Sequence, residues 1–175
     1  INGMKYNPIT FDTSDQIVKA FEAGRCDLIT SDASQLYALR TKMKNPGSYK
    51  VLPEIISKEP LGPVVRQGDD EWFNVVKWSL FAMVTAEELG VTSANAGKMA
   101  KSSKNPEVKR LLGSSGKLGA NLKIPADFGA KIVSQVGNYG EAFERNVGMD
   151  SPLKISRGVN ALWTKGGLQY SPPFR

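Results

Sequence analysis

Aspartate is the residue type through which this chain can be expected to do chemistry. Asp32 stands in Ser31-Asp32-Ala33-Ser34, after the apolar, β-branched run Cys26-Asp27-Leu28-Ile29-Thr30 and ahead of the helix-forming Leu36, Tyr37, Leu39 and Arg40. In open α/β sheets, ligands collect where a strand's carboxyl end meets a helix's amino end. A carboxylate there can accept bonds from the first helical N–H groups, or it can hold a cation through a charge-assisted bond. From the residue types alone, capping is the leading role. Asp69-Asp70 is the second acidic candidate. Paired acids suit metal or acid–base work, but nothing nearby adds to them. They read as the cap and the dipole-complementing first turn of the helix that follows.

The missing residue types exclude more. There is no histidine, which removes the Ser-His-Asp and Cys-His nucleophile pairs and the commonest zinc ligand. No catalytic residue, metal or cofactor is expected. The single cysteine, Cys26, cannot form an internal disulfide. It reads as a small buried apolar residue, or as a thiol whose partner lies outside this chain. Net charge is +6, with the densest basic region between Lys98 and Lys123. Ser, Asn and Gly separate its charges and no aromatics interleave. That argues for a solvated basic surface and against nucleic-acid binding. A basic protein also favours anionic neighbours such as a membrane surface. Hydrophobic residues make up 41%, which excludes disorder by composition. No apolar run approaches the ~20 residues needed to span a bilayer. No basic-then-apolar leader opens the chain, and Ile1-Asn2-Gly3 reads as the middle of a longer protein.

The elements that must position Asp32 follow from local pattern. Thr13-Ser14-Asp15-Gln16 fits a capping box, Ile17, Ala20 and Phe21 recur at helical spacing, and Gly24 follows as a stop. Lys5–Phe11 reads as a strand with an irregular entry at Pro8. The first forty residues are thus expected as β-α-β-α, the pattern of a parallel sheet with helical crossovers. After a turn at Asn45-Pro46-Gly47, Tyr49–Ser57 and Leu61–Gln67 read as further strands, the first broken by Pro53. Glu71–Leu89 is an unusually apolar helix, expected to be buried on several sides and stopped by Gly90. Shorter helices are expected at Thr92–Met99 and Pro106–Leu112, then a loop at Ser114–Gly119. A long helix over Pro125–Asn146 is expected to kink at Gly137 and Gly140. Ser151-Pro152 should open a last helix carrying Ile155, Val159, Leu162 and Trp163, before an extended tail.

Three stretches resemble a known family: AGRCDLITSDASQLYALR, VLPEIISKEPLGPVVRQGDDEWFNVVKWSLFAMVTAEELGVTSAN, and the pair VGNYGEAFERNVG and GVNALWTKGGLQYSPPFR. They resemble the carboxy-terminal part of the periplasmic solute-binding proteins of amino-acid ABC transporters, closest to the general L-amino-acid-binding branch. The resemblance spans essentially the whole chain and is loosest over Lys98–Asp127. It implies an α/β fold of type II periplasmic-binding-protein-like class, in which two lobes close on the ligand. Residues 1–58 would be the later part of lobe two. Residues 59–175 would be the return crossing near Glu59-Pro60, a lobe-one strand and long helix, and a helical C-terminal extension.

The same resemblance places the ligand's α-ammonium on Asp32, with Ser31 and Tyr37 as further ligand-binding candidates. Capping and ligand binding can coexist on Asp32, since a carboxylate has two oxygens. The family's Arg and hydroxyl turn for the ligand carboxylate have no counterpart here. The implied partners are an L-amino acid, the membrane permease subunits of an ABC importer, and the missing N-terminal part of the same protein. The implied location is periplasmic. A substrate-sensing module of a cell-wall lytic enzyme with the same binding fold is the alternative.

Overall fold

The computed structural model describes residues 3, 5–58 and 60–174. The opening Ile1-Asn2 and Glu59 of the expected crossing lie outside the described residues. The chain divides into two compact units, Ile1–Pro60 and Leu61–Arg175.

The first unit is built on two helices, α1 (Ser14–Glu22) and α2 (Ala33–Lys42), followed by a 3-10 turn at Pro46–Ser48. The expected cap of α1 forms with one change. Thr13 Oγ1 accepts from the Gln16 N–H at 3.3 Å, while Gln16 Oε1 accepts from the Asp12 N–H, one residue ahead of the cap. Ala20, Leu39 and Met43 are buried, and the Phe21 and Tyr49 rings lie 5.2 Å apart. Glu22 Oε1 accepts the Lys44 N–H at 2.8 Å, which closes the chain after α2 back onto α1.

The segments expected as strands do not form a sheet among the described residues. Lys5–Phe11, Cys26–Thr30, Tyr49–Ser57 and Leu61–Gln67 carry no ladder pairing, and the only bridge among the described residues joins Leu162 and Gln169. Nor are they buried. Leu28 is 75% exposed, Ile55 72%, Ile56 74% and Val64 96%. Cys26, expected to be buried, is a free and partly exposed thiol. The physical reason is that a strand has no hydrogen bonds of its own. Its N–H and C=O groups are satisfied only by a neighbour in register.

The second unit is helical: α3 (Asp70–Glu88), α4 (Ala96–Ser102), α5 (Pro106–Leu111), α6 (Leu118–Asn121), α7 (Phe128–Val136) and α8 (Tyr139–Asn146). Asp69 caps α3 by accepting from the Trp72 N–H at 3.0 Å. Only the carboxyl half of α3 is enclosed, with Ala82, Val84 and Ala86 at 0–1% exposure. Trp72 and Phe73 near its start are about half exposed, so the expected burial on several sides holds for the later turns alone. Val91, Val108, Leu111, Leu112, Phe128 and Val133 join Ala82 and Ala86 in the core. At Gly129, α7 comes so close to the end of α5 that a Cβ would lie 2.1 Å from the Leu111 carbonyl oxygen.

Two helical expectations are corrected. Pro125–Asn146 is not one kinked helix but two, α7 and α8, separated at Gly137 and Asn138. Asn138 starts α8 with a complete capping box: its side chain accepts the Glu141 N–H at 2.9 Å, and Glu141 accepts the Asn138 N–H at 2.8 Å. A cap this good ends the competition for a continuous helix. The last helix expected after Ser151-Pro152 is also absent. Two 3-10 turns, Gly158–Asn160 and Trp163–Lys165, replace it, because Lys154 turns left-handed at φ 55°.

The tail is pinned to α3. The Trp78 ring meets Phe81 and Phe174 edge-on, with centroids 5.6 and 5.2 Å away. Arg110 Nε donates to the Phe174 carbonyl at 2.6 Å, and the Thr85 hydroxyl donates to Ser171 Oγ at 2.9 Å.

Candidate ligand-binding site

Asp32 does stand at a helix start. It is the N-cap of α2, with φ −53° and ψ 140°, and its carbonyl accepts the Leu36 N–H at 2.9 Å. Its side chain, however, makes no capping bond. Four other N-cap residues in this chain use their side chains in the ordinary way: Thr13, Asp69, Asn105 and Asn138 each accept from the first turn. Asp127, which also starts a helix without capping it, is ion-paired to Lys131 at 3.0 Å. The Asp32 carboxylate is partly buried and has neither hydrogen bond nor ion pair among the described residues. It faces the positive end of the α2 dipole, where an anion is favoured, and the first turn holds no other acid.

The two neighbouring candidates are engaged differently. The Ser31 hydroxyl donates to Gln35 Oε1, and Gln35 Nε2 in turn donates to Ser14 Oγ at 3.1 Å. Tyr37 lies one turn further along α2, with the Arg40 guanidinium 5.1 Å from its ring centroid. The structure therefore brings Ser31 and Asp32 together at the head of α2 and places Tyr37 down its side. Gln35 is the residue sequence reasoning missed. Its bond to Ser14 links the starts of α1 and α2 across 21 positions, and no local pattern signals it. A hollow of about 500 Å³ beside α1, lined by residues including Thr10, Phe11, Asp12, Lys19 and Arg25, does not include Ser31, Asp32 or Tyr37.

No group of three His, Cys, Asp or Glu side chains that could hold a metal occurs among the described residues, and no helix there is long and apolar enough to cross a membrane. In the second unit, Arg157 Nη2 donates to Glu87 Oε2 at 3.0 Å, with both side chains largely buried, and the guanidinium lies 5.4 and 5.1 Å from the Tyr139 and Phe143 rings. Burial pushes the Tyr139 phenol up, against the opposing pull of Arg157. Burial would also raise Glu141. Bonds from the Ser93 hydroxyl, the Asn138 and Ser93 N–H groups, and the Arg145 charge overcome it and hold Glu141 below the usual range.

No family model matches the chain. Curated proteins do. YhdW of Escherichia coli, which bears the name of an amino-acid ABC transporter-binding protein, is 58% identical over 174 residues, 99% of this chain and 51% of YhdW. The general L-amino acid-binding periplasmic protein AapJ of Rhizobium johnstonii is 54% identical over 99% of this chain and 51% of its own length. Over 99% of its length the chain is similar to amino-acid ABC transporter-binding proteins. It spans about half the length of the curated relatives it matches. An ABC-transporter periplasmic binding protein from Brucella ovis, solved with glutathione bound, superposes with a TM-score of 0.92 at 52% identity, over 99% of this chain and 55% of that one. The expected type II periplasmic-binding-protein-like fold class therefore stands, although the part of that fold present here forms no sheet among its described residues. These relatives are named for binding and transport, not for catalysis.

Proposed function

We propose that this chain is the carboxy-terminal half of an extracytoplasmic protein that binds L-amino acids and passes them to the permease subunits of an ABC importer. Residues 1–58 would belong to the second lobe, and residues 59–175 would make the return crossing to the first lobe and its helical extension. The location that goes with this reading is the periplasm. A related protein from Rhodobacter capsulatus, 47% identical, is named for binding glutamate, glutamine, aspartate and asparagine. That protein's ligands, the general L-amino acids of AapJ and the glutathione of the Brucella ovis protein share one chemical feature, an amino-acid head with a free α-ammonium.

The observation that carries the reading is the unengaged Asp32 carboxylate. It occupies a cap position without capping, so both oxygens are available to an ammonium group. The Ser31 hydroxyl just ahead of α2, tethered by Gln35, and the Tyr37 ring on α2 would border the ligand. In the full-length protein, Asp32→Ala should weaken amino-acid binding by about a hundredfold or more, the usual effect of removing one partner from a desolvated charge pair. Isothermal titration with L-glutamine and L-glutamate checks it. Near-normal affinity in the variant would remove Asp32 from the site.

A further inference from the structure

The net charge of +6 is concentrated in one short stretch. Residues 98–123 hold seven of the 23 basic residues and one of the 17 acidic residues, which leaves sixteen of each sign in the remainder of the chain. The stretch is α4, α5, α6 and their connections, on the outside of the second unit. Two of its seven cations serve the fold. Arg110 binds the Phe174 carbonyl, and Lys123 pairs with Glu71. The other five, Lys98, Lys101, Lys104, Lys109 and Lys117, are exposed, and none is ion-paired among the described residues.

The short helices fix which way these lysines face. α4 buries Ala96 and α5 buries Val108 and Leu111, so Lys98, Lys101 and Lys109 occupy the opposite, solvated sides. Lys104 lies in the turn between them. Ser114 Oγ donates to the Ala100 carbonyl at 2.6 Å, which folds the loop leading to Lys117 back against α4. The face thus collects five ammonium groups on adjoining elements.

We propose that this face docks on an anionic phospholipid surface. Three features select that partner. No large hydrophobic residue between 98 and 123 is exposed, so the face lacks the apolar centre of a stable protein–protein interface. It also has no aromatic side chains for stacking on single-stranded nucleic acid. And all five free cations are lysines. A compact ammonium on a flexible stem suits a diffuse layer of headgroups, whereas a discrete carboxylate partner favours the arginine fork. With no apolar side chain to insert, the attachment is electrostatic and fully salt-sensitive.

The test is co-sedimentation of the chain with vesicles of phosphatidylcholine alone or with about one-third phosphatidylglycerol. Binding is expected only with phosphatidylglycerol at low salt, and should fall sharply by about 0.15 M, where the Debye length is about 8 Å. Each lysine at such a surface is worth about fivefold in affinity, so Lys98→Gln, Lys101→Gln and Lys109→Gln together should weaken binding about a hundredfold. A matched triple in the other unit, Lys5→Gln, Lys19→Gln and Lys44→Gln, changes net charge equally and should bind nearly as the parent does. Absence of binding to the anionic vesicles at low salt overturns the proposal. Equal loss in the two triples overturns it as well, since net charge rather than this face would then be responsible. Retention of polyglutamate without retention of vesicles would assign the face to an acidic protein instead and overturn the lipid reading.

Discussion

Arg157→Ala should strongly destabilise the second unit. The guanidinium is held three ways: by Glu87 at 3.0 Å, by the Asn160 carbonyl at 2.9 and 3.3 Å from Nη2 and Nε, and between the Tyr139 and Phe143 rings. The paired side chains are 19% and 10% exposed, so the carboxylate left behind cannot fully rehydrate. Breaking a buried pair from one side typically costs ~3–5 kcal/mol, and the residual solvent access here argues for the lower figure, about 3 kcal/mol. For a chain of this size that corresponds to a fall in Tm of roughly 10 °C. Removing both charges with volume-conserving replacements, Arg157→Met with Glu87→Leu, should recover much of the loss, because neither charge is then stranded. Thermal unfolding by circular dichroism of the two singles and the double gives the coupling, expected to exceed about 1.5 kcal/mol. A loss below about 1 kcal/mol for Arg157→Ala, or additive effects in the double, would show that the pair is solvated and that the staple does not hold.

Three further outcomes separate the capping residues from the binding candidate. Asp69→Ala should destabilise by about 1 kcal/mol through its lost bond to Trp72, whereas Asp32→Ala should cost under about 0.5 kcal/mol, since its side chain caps nothing; chemical denaturation of both variants checks this. Glu141 is held below its ordinary pKa of 4.5 in the folded chain, so its contribution to stability is present above that value and is lost as pH falls through the folded pKa; Glu141→Gln should lessen the acid sensitivity of the unfolding midpoint. Gly137→Ala should cost about 2 kcal/mol or more, because φ 85° with ψ 176° is essentially glycine-only backbone and the new Cβ would lie 2.8 Å from Glu141 Cβ; urea titration measures it.

Local pattern carried the sequence reading a long way. Thr13 and Asp69 were legible as helix starts, and the long apolar helix lies within one residue of its expected bounds, because caps and helical periodicity act over a few residues. The family resemblance was also carried by sequence alone, and with it the interest in Asp32. What sequence could not settle was everything that depends on a partner. The runs read as strands have the right residue types. A strand exists only where a neighbour accepts its backbone bonds, and the described residues offer Lys5–Phe11, Cys26–Thr30, Tyr49–Ser57 and Leu61–Gln67 no such neighbour. The break between α7 and α8 turned on whether a capping box at Asn138 would outcompete a continued helix, with Ser93, 48 positions upstream, adding its own bonds to Glu141. The Asp32 carboxylate was the closest case. Its residue type favoured a cap and the resemblance favoured a ligand; the folded backbone adds only that its side chain makes no capping bond at the head of α2.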